Sequence, residues 1–120
     1  MKILIIEDDD FFRNFYSSKL KELGYEVDNA PDGEQGMIKI KQFQPDLILL
    51  DLIMPKKDGF QLLTELKDNN PSITIPVIVF STLGQELDVV RAKGMGAQDY
   101  INKSVFDFNV VIKKIETYKK

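Results

Sequence analysis

Three short runs, Ile3–Ile6, Leu47–Leu50 and Val77–Phe80, are apolar at every position. A strand with one wet face alternates polar and apolar residues. An unbroken run of four belongs instead to a strand covered on both faces, as in a parallel sheet. Parallel neighbours cannot be joined by a tight turn and need a crossover, usually a helix. Helical periodicity occupies the gaps. Phe12, Phe15, Tyr16, Leu20 and Leu23 recur at helical spacing, and Gly24 supplies a stop. Asp32 with Gln35 reads as a capping box that opens a second helix, running to about Lys41. Asp58 can cap a third, whose Leu62, Leu63 and Leu66 form the buried stripe. Leu83, Leu87 and Val90 mark a shorter fourth; Phe108, Val111, Ile112 and Ile115 mark the fifth. With Tyr25–Asn29 and Asp99–Ile101 as the remaining strands, five βα units alternate strictly. The expected class is α/β, a doubly wound five-stranded parallel sheet with helices on both sides.

At 120 residues the chain suits one domain with a modest core, and no linker, repeat or low-complexity segment divides it. No apolar run approaches the roughly 20 residues that cross a bilayer, so no membrane association is expected. "MKILIIEDDD" is too short an apolar block for a secretion signal. Cys and His are both absent. This removes disulfides, thiol nucleophiles, imidazole bases and the nitrogen and sulfur metal ligands, and it suits a cytoplasmic protein. Sixteen basic and 19 acidic residues give a net charge of −3 without a basic stripe, so direct nucleic-acid binding is not expected. Lys113, Lys114, Lys119 and Lys120 gather where a helix C-terminus favours cations.

In such a sheet ligands bind beyond the carboxyl ends of the strands, near the point where strand order reverses. The first strand delivers Glu7, Asp8 and Asp9 there, the third Asp51, the fourth Ser81 and Thr82, the fifth Asn102 and Lys103. Taken singly, these residues read as a helix-capping acid cluster, a turn serine and a solvated lysine. Together they are harder to dismiss. Asp51 interrupts an apolar segment, where a charge is costly unless paired or bound to a cation. Glu7, Asp8 and Asp51 would repel one another in a partly desolvated cleft. A hard divalent cation relieves this, and Mg²⁺ suits oxygen ligands, retained waters and a phosphate. Lys103 and Ser81 then offer a cation and a donor to an anionic group arriving beside the metal.

The segments "ILIIEDDDFFR" (3–13), "PDLILLDLIMPKKDGF" (45–60), "PVIVFST" (76–82) and "GAQDYINKS" (96–104) carry a specific resemblance. The chain resembles a response-regulator receiver domain of two-component signalling, of the CheY-like type, over essentially all 120 residues. The resemblance implies a flavodoxin-like (βα)5 sheet in the order 2-1-3-4-5. It implies a single receiver domain over 1–120 with no output domain in this chain. Asp51 then corresponds to the phospho-acceptor, served by a phospho-histidine on a histidine kinase or histidine phosphotransfer protein. Asp8 corresponds to the direct Mg²⁺ ligand, Glu7 to its neighbour acting largely through water, and Ile53 to a backbone-carbonyl ligand. Ser81 and Lys103 correspond to the residues that bind the phosphoryl group, and Tyr100 to the aromatic that turns inward when the switch is thrown. Ile53 and Leu83 stand at rim positions that tune dephosphorylation; both are apolar and cannot orient water, so slow loss of the phosphate is expected. On this view the chain is not an enzyme in the ordinary sense, but assists its own phosphorylation and slow dephosphorylation.

Three positions depart from the pattern. Glu7 replaces the more frequent Asp, Thr82 a small residue, and Ser104 the usual Pro after the lysine. The Lys103–Ser104 bond is then either cis, at about 2.5–4 kcal/mol, or trans in a reshaped loop. Rival readings are a receiver that has abandoned phosphorylation and serves as a docking module, and an Mg²⁺-dependent phosphohydrolase. The latter would want Asp-x-Asp after the first strand, whereas here Ile53 stands two residues beyond Asp51. "GMGAQD" precedes a strand and lacks a third glycine, so it is no dinucleotide loop. The downstream partner is expected to be a protein. Tyr100, Phe106 and Val110, or Phe11 and Phe12 on the first helix, are open candidates for the contact surface. A monomer or a weak phosphorylation-dependent homodimer is expected.

Overall fold

The computed structural model describes residues 1–52, 54, 56–69, 75–81, 86–103 and 107–118. Strands and helices alternate as expected: β1 (Lys2–Ile6), α1 (Asp10–Glu22), β2 (Glu26–Ala30), α2 (Gly33–Phe43), β3 (Leu47–Asp51), α3 (Gly59–Asn69), β4 (Val77–Ser81), α4 (Glu86–Gly94), β5 (Asp99–Asn102) and α5 (Phe108–Thr117). All neighbouring strands are parallel, in the order β2-β1-β3-β4-β5. The order reverses at β1 and β3, which lie side by side with Ile3 opposite Leu47 and Ile6 opposite Leu50.

Because side chains alternate along a strand, each apolar run serves two cores at once. Leu4, Ile6, Ile48, Leu50, Val77 and Val79 face one layer, where they meet Met37 and Ile40 of α2, Leu62 and Leu63 of α3 and Ala92 of α4. Ile3, Ile5, Leu47, Leu49, Ile78, Phe80 and Ile101 face the other, against Tyr16 and Leu20 of α1 and Val111 and Ile115 of α5. The caps agree with the sequence. Asp32 accepts the Gln35 N–H at 2.8 Å, and Asp58 exchanges hydrogen bonds with Gln61 at the start of α3.

Several strand ends shift by one residue from expectation, and two differences have a visible cause. The second strand starts at Glu26, not Tyr25, because the Tyr25 N–H is taken by the Leu20 carbonyl in the turn that closes α1. The fourth helix is present, but it turns Leu87 (85% exposed) and Val90 (67%) to solvent and buries Val89 and Ala92 instead. Two i, i+3 apolar pairs compete in that short helix, and the slimmer pair takes the sheet side.

Candidate functional site

Strand parity assembles the site. Ile3, Ile5 and then Glu7 follow one face of β1; Leu47, Leu49 and Asp51 follow the same face of β3; Ile101 and Lys103 follow it at β5. Glu7, Asp51 and Lys103 are thus each the next step of a strand row that packs under α1 and α5. Asp51 is the last residue of β3, buried and registered opposite Phe80. Glu7 is fully buried, and its backbone is fixed by an N–H to the Ala30 carbonyl at 3.0 Å and by Arg13 Nη1 on its own carbonyl at 2.9 Å. Asp8 stands exposed at the mouth. Asp9 turns away to the α1 N-terminus, where its Oδ1 accepts the Phe12 N–H at 2.9 Å. The acid run therefore divides between capping and the site.

One carboxylate oxygen from each of Glu7, Asp8 and Asp51 lies within 4.8 Å of the others. All three are hard oxygen donors, of the kind that a six-coordinate divalent cation such as Mg²⁺ takes together with water. Lys103 Nζ closes the fourth side, ion-paired to Glu7 Oε1 and 3.4 Å from Asp51 Oδ2. Burial raises the Glu7 pKa to about 8; a hydrogen bond with Asp51 pushes the same way, and Lys103 opposes it. Tyr16 in the layer beneath is also raised, by burial first and the Glu7 charge second.

The backbone beyond Asp51 is packed against its own strand. The Gly59 N–H donates to the Leu52 carbonyl at 2.9 Å, and a Cβ on Gly59 would stand 2.7 Å from the Asp51 carbonyl oxygen. The glycine of "KKDGF" is therefore a demand of close approach. Tyr100 points outward, 39% exposed, its ring 5.1 Å from Lys93 Nζ and 5.6 Å from Lys114 Nζ. Val110 is exposed on α5, and Phe11 on α1. Ser81 ends β4 at the same edge as Asp51, with its side chain outside what the structure describes. Ile53, Thr82, Leu83, Ser104 and Phe106 also lie outside the described residues. Two rings were not anticipated at the site: Phe12 and Phe80 both face the Lys103 ammonium. Phe80 is legible in hindsight, since it shares a strand face with Ile78 and registers with Asp51.

Among the described residues, no helix is long and apolar enough to cross a membrane. The model of the response regulator receiver domain family matches residues 3–116. The DNA-binding dual master transcriptional regulator RpaA of Synechocystis sp. is 39% identical over 114 residues, which are 95% of this chain and 47% of that protein. This chain spans less than half the length of the curated relatives it matches. Among solved structures, the Francisella response regulator 1452 receiver domain is 30% identical with a TM-score of 0.87, covering 98% of this chain and 94% of that one. The Vibrio cholerae chemotaxis protein CheY4 shares the fold, with a TM-score of 0.89 at 24% identity and 98% of both chains covered. The carboxylate-and-lysine rim at the switch point of a 2-1-3-4-5 sheet thus meets a family match over nearly the whole chain, which belongs to the response regulator receiver domains of two-component signalling.

Proposed function

We propose that Asp51 accepts a phosphoryl group from a phospho-histidine on a histidine kinase or histidine phosphotransfer protein. The observation that carries this reading is the buried Asp51 carboxylate, gathered with Glu7 and Asp8 and set 3.4 Å from Lys103 Nζ. An Asp51 oxygen attacks phosphorus as the P–N bond to the donor histidine breaks, and the imidazole leaves with the electron pair. Glu7, Asp8, Asp51 and the Ile53 carbonyl are the ligands we assign to Mg²⁺, which would offset charge on the equatorial phosphoryl oxygens. Lys103 already faces Asp51 and needs only a small shift to pair with the phosphoryl group. Ser81 supplies a hydroxyl donor to it, and Tyr100 turns inward as Ser81 moves.

The apolar side chains of Ile53 and Leu83 lack a group that could orient water, which supports slow loss of the phosphate. The readout is a change of protein contacts, with a separate target or with an attached segment, and the setting is cytoplasmic. The test is incubation with acetyl phosphate and Mg²⁺ followed by intact-mass measurement. One added phosphoryl group, absent in Asp51→Asn and persisting beyond seconds, is expected. An unmodified wild type under the same conditions would leave the docking-module reading standing.

A further inference from the structure

We propose that Phe12 and Phe80 are positioning residues for phosphoryl transfer, forming an aromatic seat that holds the Lys103 ammonium at the site. The inference rests on the function proposed above and extends it to two residues that touch neither metal nor phosphate. Lys103 Nζ lies 5.0 Å from the centroid of the Phe12 ring and 5.6 Å from that of Phe80, both within cation–π range. The rings stand 6.1 Å apart and nearly perpendicular, at 71°. Neither is free to swing. Tyr16 stacks on Phe12 at 5.3 Å and leans on Phe80 at 5.2 Å, Phe80 is fully buried, and Phe108 backs Tyr16 from α5.

The ammonium thus meets two unlike kinds of group, the Glu7 and Asp51 carboxyl groups and the two rings. The two holds behave differently during function. Lysine is a compact, strongly hydrated charge on a flexible four-carbon stem, so its position must be imposed from outside. The carboxylates cannot impose it throughout, because their charge is shared once a divalent cation binds and Asp51 is consumed by the reaction. The rings keep their quadrupoles in every state. They hold Lys103 at the rim when its ion-pair partners are engaged elsewhere, so that it meets the phosphoryl oxygens already in place. Aliphatic side chains of similar size would fill the space and leave the ammonium without a seat.

The experiment compares wild type with Phe12→Leu, Phe12→Tyr and Phe80→Leu. The first reading is the proton shift of the Lys103 ε-methylene without Mg²⁺, assigned through Lys103→Arg. Ring currents should move it well upfield; Phe12→Leu should return it most of the way to an ordinary lysine shift, and Phe12→Tyr should keep it. The second reading is acetyl-phosphate phosphorylation across a Mg²⁺ titration. In Phe12→Leu the limiting rate should fall about tenfold, the loss of a desolvated cation–π contact, with the half-saturating Mg²⁺ concentration unchanged and the rate restored in Phe12→Tyr. Phe80→Leu should act in the same direction and serves as the test if Phe12→Leu does not fold. An ordinary ε-methylene shift in wild type, or a Leu variant with unaltered shift and rate, overturns the seat. A wild type that takes up no phosphate but keeps the upfield shift instead refutes the proposed function alone.

Discussion

The two layers of the sheet draw on the same strands yet end differently at the carboxyl edge. Under α2, α3 and α4 the packing is mainly aliphatic, with Phe60 its buried ring among the described residues, and the layer closes with backbone against backbone. The Gly33 N–H meets the Lys57 carbonyl at 3.0 Å, where a Cβ would stand only 2.1 Å from that oxygen, and Gly59 sits on Asp51 and Leu52. Under α1 and α5 a cluster of rings, Tyr16 and Phe80 with Phe12, Phe15 and Phe108 around them, packs among the aliphatic side chains, and the layer closes with charge. Such a division separates tasks. One layer fixes the loops; the other supplies a low-dielectric floor on which carboxylates and a lysine interact strongly.

Equal damage to the two layers should therefore have unequal consequences. Phe80→Ala and Leu50→Ala each remove a fully buried side chain, one from each layer, and each should cost roughly 3–4 kcal/mol of stability. Urea unfolding without Mg²⁺ measures this. In the folded fraction, only Phe80→Ala should slow phosphorylation by acetyl phosphate. If Leu50→Ala slows it as much, the layers do not divide the work.

A smaller effect separates the charges from the floor beneath them. Glu7 titrates near 4.5 when unfolded and at about 8 when folded. Between those values the folded chain keeps a proton that the unfolded chain has released, so metal-free stability falls as pH rises and levels off above about 8. Below 4.5 both states hold the proton and the penalty is absent. Glu7→Gln cannot ionise, so its stability should not share that decline. A shift from 4.5 to about 8 sets a ceiling of about 5 kcal/mol on the gap between variant and wild type; relaxation and water entry around Glu7 should leave it on the order of 2 kcal/mol. Urea midpoints from pH 4.5 to 9 check this. For the same reason apparent Mg²⁺ affinity of the wild type should strengthen through pH 8, since the cation displaces a proton. Parallel pH curves for the two proteins would mean that burial does not govern Glu7.

Much of this is legible in the sequence alone. The three apolar runs specify strands covered on both faces, and parity then fixes that Glu7, Asp51 and Lys103 share a face once the sheet order is known. The caps at Asp32 and Asp58 are local hydrogen-bond chemistry and read directly from sequence. Less legible were choices made between elements. That Lys103 pairs with Glu7 and sits on Phe12 depends on how α1 lies across β1 and β5, and no spacing within one segment encodes it. The division of the acid run, with Asp9 capping a helix while Glu7 is buried, also follows from where β1 ends and α1 begins.

The orientation of α4 shows the same limit and carries the smallest effect. Leu87 and Val90 are the bulkier apolar pair in that helix, so periodicity alone directs them inward, yet both are exposed while Val89 and Ala92 are buried. Ala92 sits in the aliphatic core, and its carbonyl accepts the N–H groups of Met95 and Ala97, which draws the end of the helix close to the sheet. A residue without a long side chain permits that approach, whereas Leu87 at the same place would hold the helix off. Leu87→Ser should therefore change stability by no more than about 0.5 kcal/mol, as expected for an exposed position. Ala92→Leu, which inserts volume into a packed layer, should cost about 1–3 kcal/mol. If urea midpoints ranked the two substitutions the other way, α4 would be rotated about its axis from the position described, and the aliphatic layer would owe its cover to the bulkier pair.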